Sequence, residues 1–174
     1  VVLLIIDGSV GCTGTLINNT DNDGKPYLLT ASHCLNKQFT MKNPDYEKIA
    51  GSIVCFFNFN SPFCDPILRG TEEMSTASTY FKAVNEMADM ALLELTATPP
   101  VYYRPYYAGW NAQEVGPAPY TCIQHPQYSV KRISISDEDL APFTLTDPNM
   151  IFYKNAHWHV KTLSLIHISE PTRH

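Results

Sequence analysis

The segment from Gly11 to Cys34 constrains this chain more than any other. Gly11-Cys12-Thr13-Gly14-Thr15-Leu16-Ile17 reads as a strand and Leu28-Leu29-Thr30-Ala31-Ser32-His33-Cys34 as a second, apolar one. Between them, Asn18 to Pro26 is rich in Asn, Asp and Gly, the chemistry of a turn. The result is an antiparallel hairpin, and Cys12 is the fitting disulfide partner for Cys34 across it. That bond would pin the strand end that presents His33. A histidine at the end of a buried strand is a sound mounting for a general base, which must keep fixed geometry against its nucleophile and its orienting carboxylate. The plainer readings of a lone His-Cys pair are a satisfied core histidine or half of a metal pair.

The rest of the chain repeats the β theme. Val1 to Ile6 reads as a buried strand, and Ile53 to Phe59 is a β-branched and aromatic run. Tyr80 to Val84 and Met90 to Leu95 follow as further strands. Lys37 to Lys48 is polar and turn-rich, and Ser61 to Ser78, rich in Pro, Ser, Thr and Gly, reads as a surface loop. Many short strands without a helical period predict an all-β antiparallel barrel or sandwich. Ten Tyr and eight Phe suit that class, and 44% apolar with 17% charged residues argues against disorder.

Charge and cysteine usage exclude several functions. With a net charge of −5 and no basic run, the chain lacks the electrostatic footprint of a nucleic-acid or anionic-lipid partner. No apolar run approaches the ~20 residues of a membrane span, and the opening strand lacks the flanks of a signal peptide. Five cysteines favour an oxidising compartment, and the odd number suggests a free thiol or a lost partner. Cys64 could bridge to an upstream segment, whereas Cys55 and Cys122 read as buried strand residues. Their spacings match no zinc pattern. His157 and His159 share a face of a β-strand in His-Trp-His, but no third and fourth ligand accompany them. No metal and no cofactor is therefore expected. His125, before Pro126 at a strand end, reads as structural.

Cys-Thr-Gly-Thr-Leu-Ile followed by Leu-Leu-Thr-Ala-Ser-His-Cys resembles the trypsin-like (chymotrypsin-fold) serine peptidases. Asp89 alone would pass for a turn residue. In Ala88-Asp89-Met90-Ala91-Leu92-Leu93-Glu94-Leu95 it resembles that family's Asp-x-Ala-Leu-Leu signature, in the family's order of His, Asp, Ser. Tyr106 to Asn111, Ile123-Gln124-His125-Pro126-Gln127 and Lys131-Arg132-Ile133-Ser134 are similar to the bacterial lysyl endopeptidase branch in particular, so the resemblance runs from Gly11 to about Trp158. It implies an antiparallel double β-barrel of the chymotrypsin type, with His33 as catalytic base, Asp89 as its orienting carboxylate and a polypeptide substrate. It further implies cleavage after lysine and a secreted or periplasmic location.

The prolines at Pro99-Pro100 and Pro105 predict a connection between barrels. The expected organisation is a complete first barrel over 1–98, a linker over 99–105 and a partial second barrel over 106–162. The departure from the family lies beyond. A nucleophilic serine needs a tight turn whose backbone N–H groups form the oxyanion hole, supplied in the family by Gly-x-Ser-Gly. The last glycine here is Gly116, and Ser129, Ser134, Ser136, Ser164 and Ser169 lack such flanks. Leu163 to His174 looks like translated adapter sequence and is expected to stand outside the fold. On this reading the chain is a fragment of a peptidase, inactive as it stands and prone to aggregate. The alternatives are a pseudopeptidase that keeps the barrel as a binding module, and a secreted β-domain in which His33 and Asp89 lie apart.

Overall fold

The computed structural model describes residues 1–61, 71–111 and 118–160. Cys64 and the segment from Leu163 onward lie outside them. Among the described residues, seven strands form one antiparallel sheet: β1 (Val2–Ile6), β2 (Val10–Ile17), β3 (Tyr27–Thr30), β4 (Val54–Phe56), β5 (Ser75–Ala77), β6 (Thr79–Asn85) and β7 (Met90–Leu95). Their order across the sheet is β5-β4-β1-β2-β3-β7-β6. The two edge strands, β5 and β6, are separated in sequence by Ser78 alone, in the left-handed region at φ 68°. A sheet whose opposite edges are joined by one residue cannot lie flat. It curls on itself, and the Ser78 N–H donates to the Ile53 carbonyl at 2.7 Å to fix the corner. The curl makes an all-β partial barrel, one of the two forms that the strand pattern predicts and the one that the resemblance to chymotrypsin-fold peptidases implies.

Alternation sets which side chains fill the barrel. Val2, Leu4 and Ile6 of β1, Leu16 of β2, Leu28 of β3, and Ala91, Leu93 and Leu95 of β7 form one buried cluster with Leu35, Ile53, Cys55 and Phe57. The i, i+2 spacing on each strand places these residues on one face of the sheet. Leu28 in β3 faces Leu93 in β7, so the strand leading to His33 and the strand following Asp89 are paired in register.

Several expectations about elements change. The run from Leu28 to Cys34 is not one strand: β3 ends at Thr30, and Ser32–Leu35 forms a single helical turn, α1, which carries His33. Within the polar stretch after it, Asp45 caps a second short helix, α2 (Tyr46–Gly51), its carboxylate accepting the Lys48 N–H at 3.1 Å. The strand expected to run to Phe59 stops at Phe56, because Asn58 takes a left-handed conformation at φ 51°. Ser75–Ala77, expected as loop, supplies the edge strand β5.

After β7 the chain passes a 3-10 turn at Val101–Tyr103 and returns alongside β2, where the Ala108 N–H donates to the Leu16 carbonyl at 2.8 Å. The remaining strands of the described residues form two antiparallel pairs, β8 (Tyr120–Gln124) with β9 (Arg132–Ser136) and β10 (Ala141–Phe143) with β11 (His157–His159). Among the described residues, no helix is long and apolar enough to cross a membrane.

Candidate active site

His33 and Asp89 approach from opposite directions. α1 starts at Ser32, directly beyond the end of β3, and is anchored by the disulfide between Cys34 and Cys12 of β2, with Cα atoms 6.3 Å apart. Asp89 closes a 3-10 turn, Glu86–Ala88, that delivers the chain into β7. It sits in the left-handed region at φ 50°, which aspartate tolerates better than most residues. The left-handed turn aims its carboxylate back across the sheet end at α1.

The contact has three parts. His33 Nδ1 lies 2.7 Å from Asp89 Oδ2. The His33 backbone N–H donates to Oδ1 at 2.9 Å, and the fully buried Ser32 hydroxyl donates to the same oxygen at 3.1 Å. Burial of Asp89 works to raise its pKa. The hydrogen bond and charge of the His33 ring, the backbone bond and the Ser32 hydroxyl outweigh it, and together hold the carboxyl below its ordinary value. The side chains differ in access: Asp89 is 12% exposed and His33 is 34% exposed. The carboxylate is thus shielded while the imidazole faces outward.

The imidazole opens on a cleft of about 550 Å³. One wall comes from His33, Phe39 and the segment Ala88–Met90, the other from Phe143, Phe152 and β11. Aromatic edges join the walls where Phe39 meets Phe152 with ring centres 5.4 Å apart, and within the far wall Phe152 meets His157 at 5.8 Å. His157 Nε2 donates to the Ala88 carbonyl at 3.2 Å, and the Tyr153 N–H to the Met87 carbonyl at 2.9 Å. The Asp89 turn is therefore clamped from the far wall.

The other candidate residues have separate places. His157 binds Ala88, while His159 packs on Phe143 with ring centres 5.5 Å apart. Among the described residues, the close grouping of potential metal ligands is Cys12, His33 and Cys34, whose two sulfurs are joined to each other and offer no thiolate. Cys55 is a buried thiol in β4, its pKa pushed up to about 12 by burial. Cys122 in β8 is only half-buried. His125, 4% exposed, donates its backbone N–H to Thr13 Oγ1 at 2.9 Å and places Nδ1 3.0 Å from the Ser129 carbonyl. It ties the end of β8 to β2, away from the cleft. Sequence reading missed Ser32 as a third ligand of the Asp89 carboxylate, and also missed the clamp made by Phe152 and His157. A serine directly before the histidine was the available signal for the first. The second depends on the return path of the chain and has none.

Fold and site together define an all-β, chymotrypsin-like protein with a histidine and an aspartate paired at the end of its barrel. The family model described as lysyl endopeptidase, C-terminal domain, matches residues 1–163, and the chain belongs to that family. It is also 27% identical over 129 residues to a lysyl endopeptidase of Pseudomonas aeruginosa. That alignment covers 73% of this chain and 26% of the relative, so the matched part spans about a quarter of that protein's length.

Proposed function

We propose that this chain is the base-bearing part of a secreted or periplasmic serine endopeptidase, with His33 as general base and Asp89 as the carboxylate that orients it. The observation that carries the reading is the two-point contact between them, at 2.7 Å through the ring and 2.9 Å through the backbone. With Nδ1 committed to Asp89, Nε2 is the nitrogen that would take a proton from a serine hydroxyl and return it to the leaving amine. Asp89 stays ionised, fixes the tautomer and stabilises the imidazolium formed in between. The apolar and aromatic cleft beside His33 would hold the polypeptide substrate. Cleavage after lysine is suggested by the name of the Pseudomonas relative.

The division into a first barrel over 1–98, a connection over 99–105 and the opening of a second over 106–162 completes this reading. These 174 residues hold no Gly-x-Ser-Gly segment to supply a nucleophilic serine and its oxyanion hole, so on this reading the chain by itself is inactive. The absence of any Gly-x-Ser-Gly segment also favours a second reading, a pseudopeptidase that keeps the cleft for binding.

The test is to read the gene through the codons following Val160, express its full product and treat it with a fluorophosphonate. Labelling of a serine in a Gly-x-Ser-Gly turn, abolished in His33→Ala, is the expected result. A full product that carries no such turn and takes no label would overturn the peptidase reading in favour of the binding module.

A further inference from the structure

The His33–Asp89 contact has a companion one turn away. Asn36, three positions beyond His33, donates its Nδ2 to the Oε1 of Glu86, three positions before Asp89, at 2.6 Å. The same Glu86 oxygen accepts the hydroxyl of Tyr46. Both ends of this second contact are wired to the first through backbone. The Asn36 N–H donates to the Ser32 carbonyl at 3.0 Å, closing α1 around His33. The Asp89 N–H donates to the Glu86 carbonyl at 3.0 Å, closing the left-handed turn.

The surroundings make the cluster stiff. Asn36 is 3% exposed, and its Oδ1 accepts the Met41 N–H at 3.0 Å, which fixes the amide so that Nδ2 points at Glu86. The Tyr46 ring stacks on Phe81 of β6, with centres 5.3 Å apart and planes 12° from parallel. Burial, then the Glu86 hydrogen bond and charge, push the Tyr46 phenol up, so its hydroxyl remains a donor at neutral pH. Two donors converging on one oxygen require an acceptor there, which a carboxylate or an amide oxygen supplies and an aliphatic chain does not.

We propose that Glu86, held by Asn36 and Tyr46, is a positioning residue that sets the separation between the His33 turn and the Asp89 turn. Its consequence for reaction rate rests on the peptidase reading above, but its geometric consequence does not. Asp89 and the disulfide hold α1 at Ser32, His33 and Cys34; the Glu86 contact adds a hold at Asn36, just past its end, and so fixes both ends of the turn against the Asp89 side.

The experiment follows the Nδ1 proton of His33 by nitrogen-15 NMR in the full 174-residue chain, comparing wild type with Glu86→Ala, Glu86→Gln and Tyr46→Phe. In Glu86→Ala the Nδ1 proton should lose its downfield, hydrogen-bonded position and exchange with water about tenfold faster or more. Glu86→Gln keeps an acceptor oxygen for both donors and should restore the wild-type signature. A folded Glu86→Ala with an unchanged His33 signal would overturn the proposal, whatever its loss of melting temperature. Should Glu86→Ala not fold, Tyr46→Phe decides, since it keeps the stack on Phe81: faster exchange supports the proposal and unchanged exchange overturns it. None of these readouts involves a nucleophile, so a failure of the peptidase reading registers only in the fluorophosphonate experiment.

Discussion

Asp89 holds His33 at two points, taking the ring Nδ1 on one carboxylate oxygen and the backbone N–H on the other. The ring therefore cannot turn about its own Cα without breaking away from a carboxylate that is itself fixed to the same residue's backbone. Orientation of the imidazole is a property of the α1 turn as a whole.

The first prediction concerns the tautomer. In Asp89→Asn the amide oxygen should occupy the Oδ1 position, because two donors, the His33 N–H and the Ser32 hydroxyl, converge there. The amide NH₂ then faces Nδ1, which must become an acceptor, so the ring proton moves to Nε2. Nitrogen-15 shifts of the neutral ring should reverse between the two nitrogens. In a full-length active product the same substitution should lower kcat by about 10⁴-fold, the cost of a wrong tautomer in a serine triad.

Acid should expose the second role of this contact. The folded Asp89 carboxyl lies below its ordinary value of 3.8, so the stability it contributes is complete above that value. It is lost as pH falls further, through the folded value. Urea midpoints of wild type and Asp89→Ala should differ by a constant amount above pH 4 and converge below it. A difference that stays constant into strong acid would contradict the assignment.

His125 should titrate in the opposite sense to a salt-bridged histidine. Burial lowers its pKa from 6.5 to about 4, so between those values the unfolded chain binds a proton that the native chain refuses. Stability should fall as pH drops from about 6.5 to about 4. His125→Asn, which can still donate to the Ser129 carbonyl, should flatten that part of the profile.

The disulfide should matter twice. Closing a loop with a sequence separation of 22 stabilises by about 3 kcal/mol in the chain-entropy model. Reduction, or Cys12→Ser with Cys34→Ser, should lower the melting temperature accordingly. Because Cys34 lies in the same turn as His33, it should also broaden the His33 ring resonances. Cys55, buried and with a raised pKa, should stay unreactive to iodoacetamide in the native protein while the disulfide is intact.

The readable parts of this chain are those where one local rule acts alone. Met90–Leu95 forms β7 with the predicted bounds, since an apolar run bordered by Asp has few alternatives. The hairpin between β2 and β3 was legible from its Asn, Asp and Gly turn. Helical elements of one or two turns were not. α1 hides within a run that looks uniformly extended, with no Gly or Pro between Leu28 and Cys34 to mark the break. α2 spans six residues, too few to show a helical repeat. In the site, the meeting of His33 with Asp89 was legible only through the resemblance carried by the segments around them. Asn36 and Glu86 were not, because neither lies within the segments that carry the resemblance and their contact leaves no trace in either local pattern.

The corner at Ser78 carries one further consequence. An isolated sheet ends in two rows of unpaired backbone groups, and each row is a template on which another chain can build cross-chain strands. Here both terminal strands emerge from one residue, and the Thr96 hydroxyl caps the carbonyls of Ala77 and Ser78 at 3.2 and 3.3 Å. A proteolytic nick at this bond would remove no core residue. It would cut the covalent tie between the two edges while leaving β5 paired to β4 and β6 paired to β7.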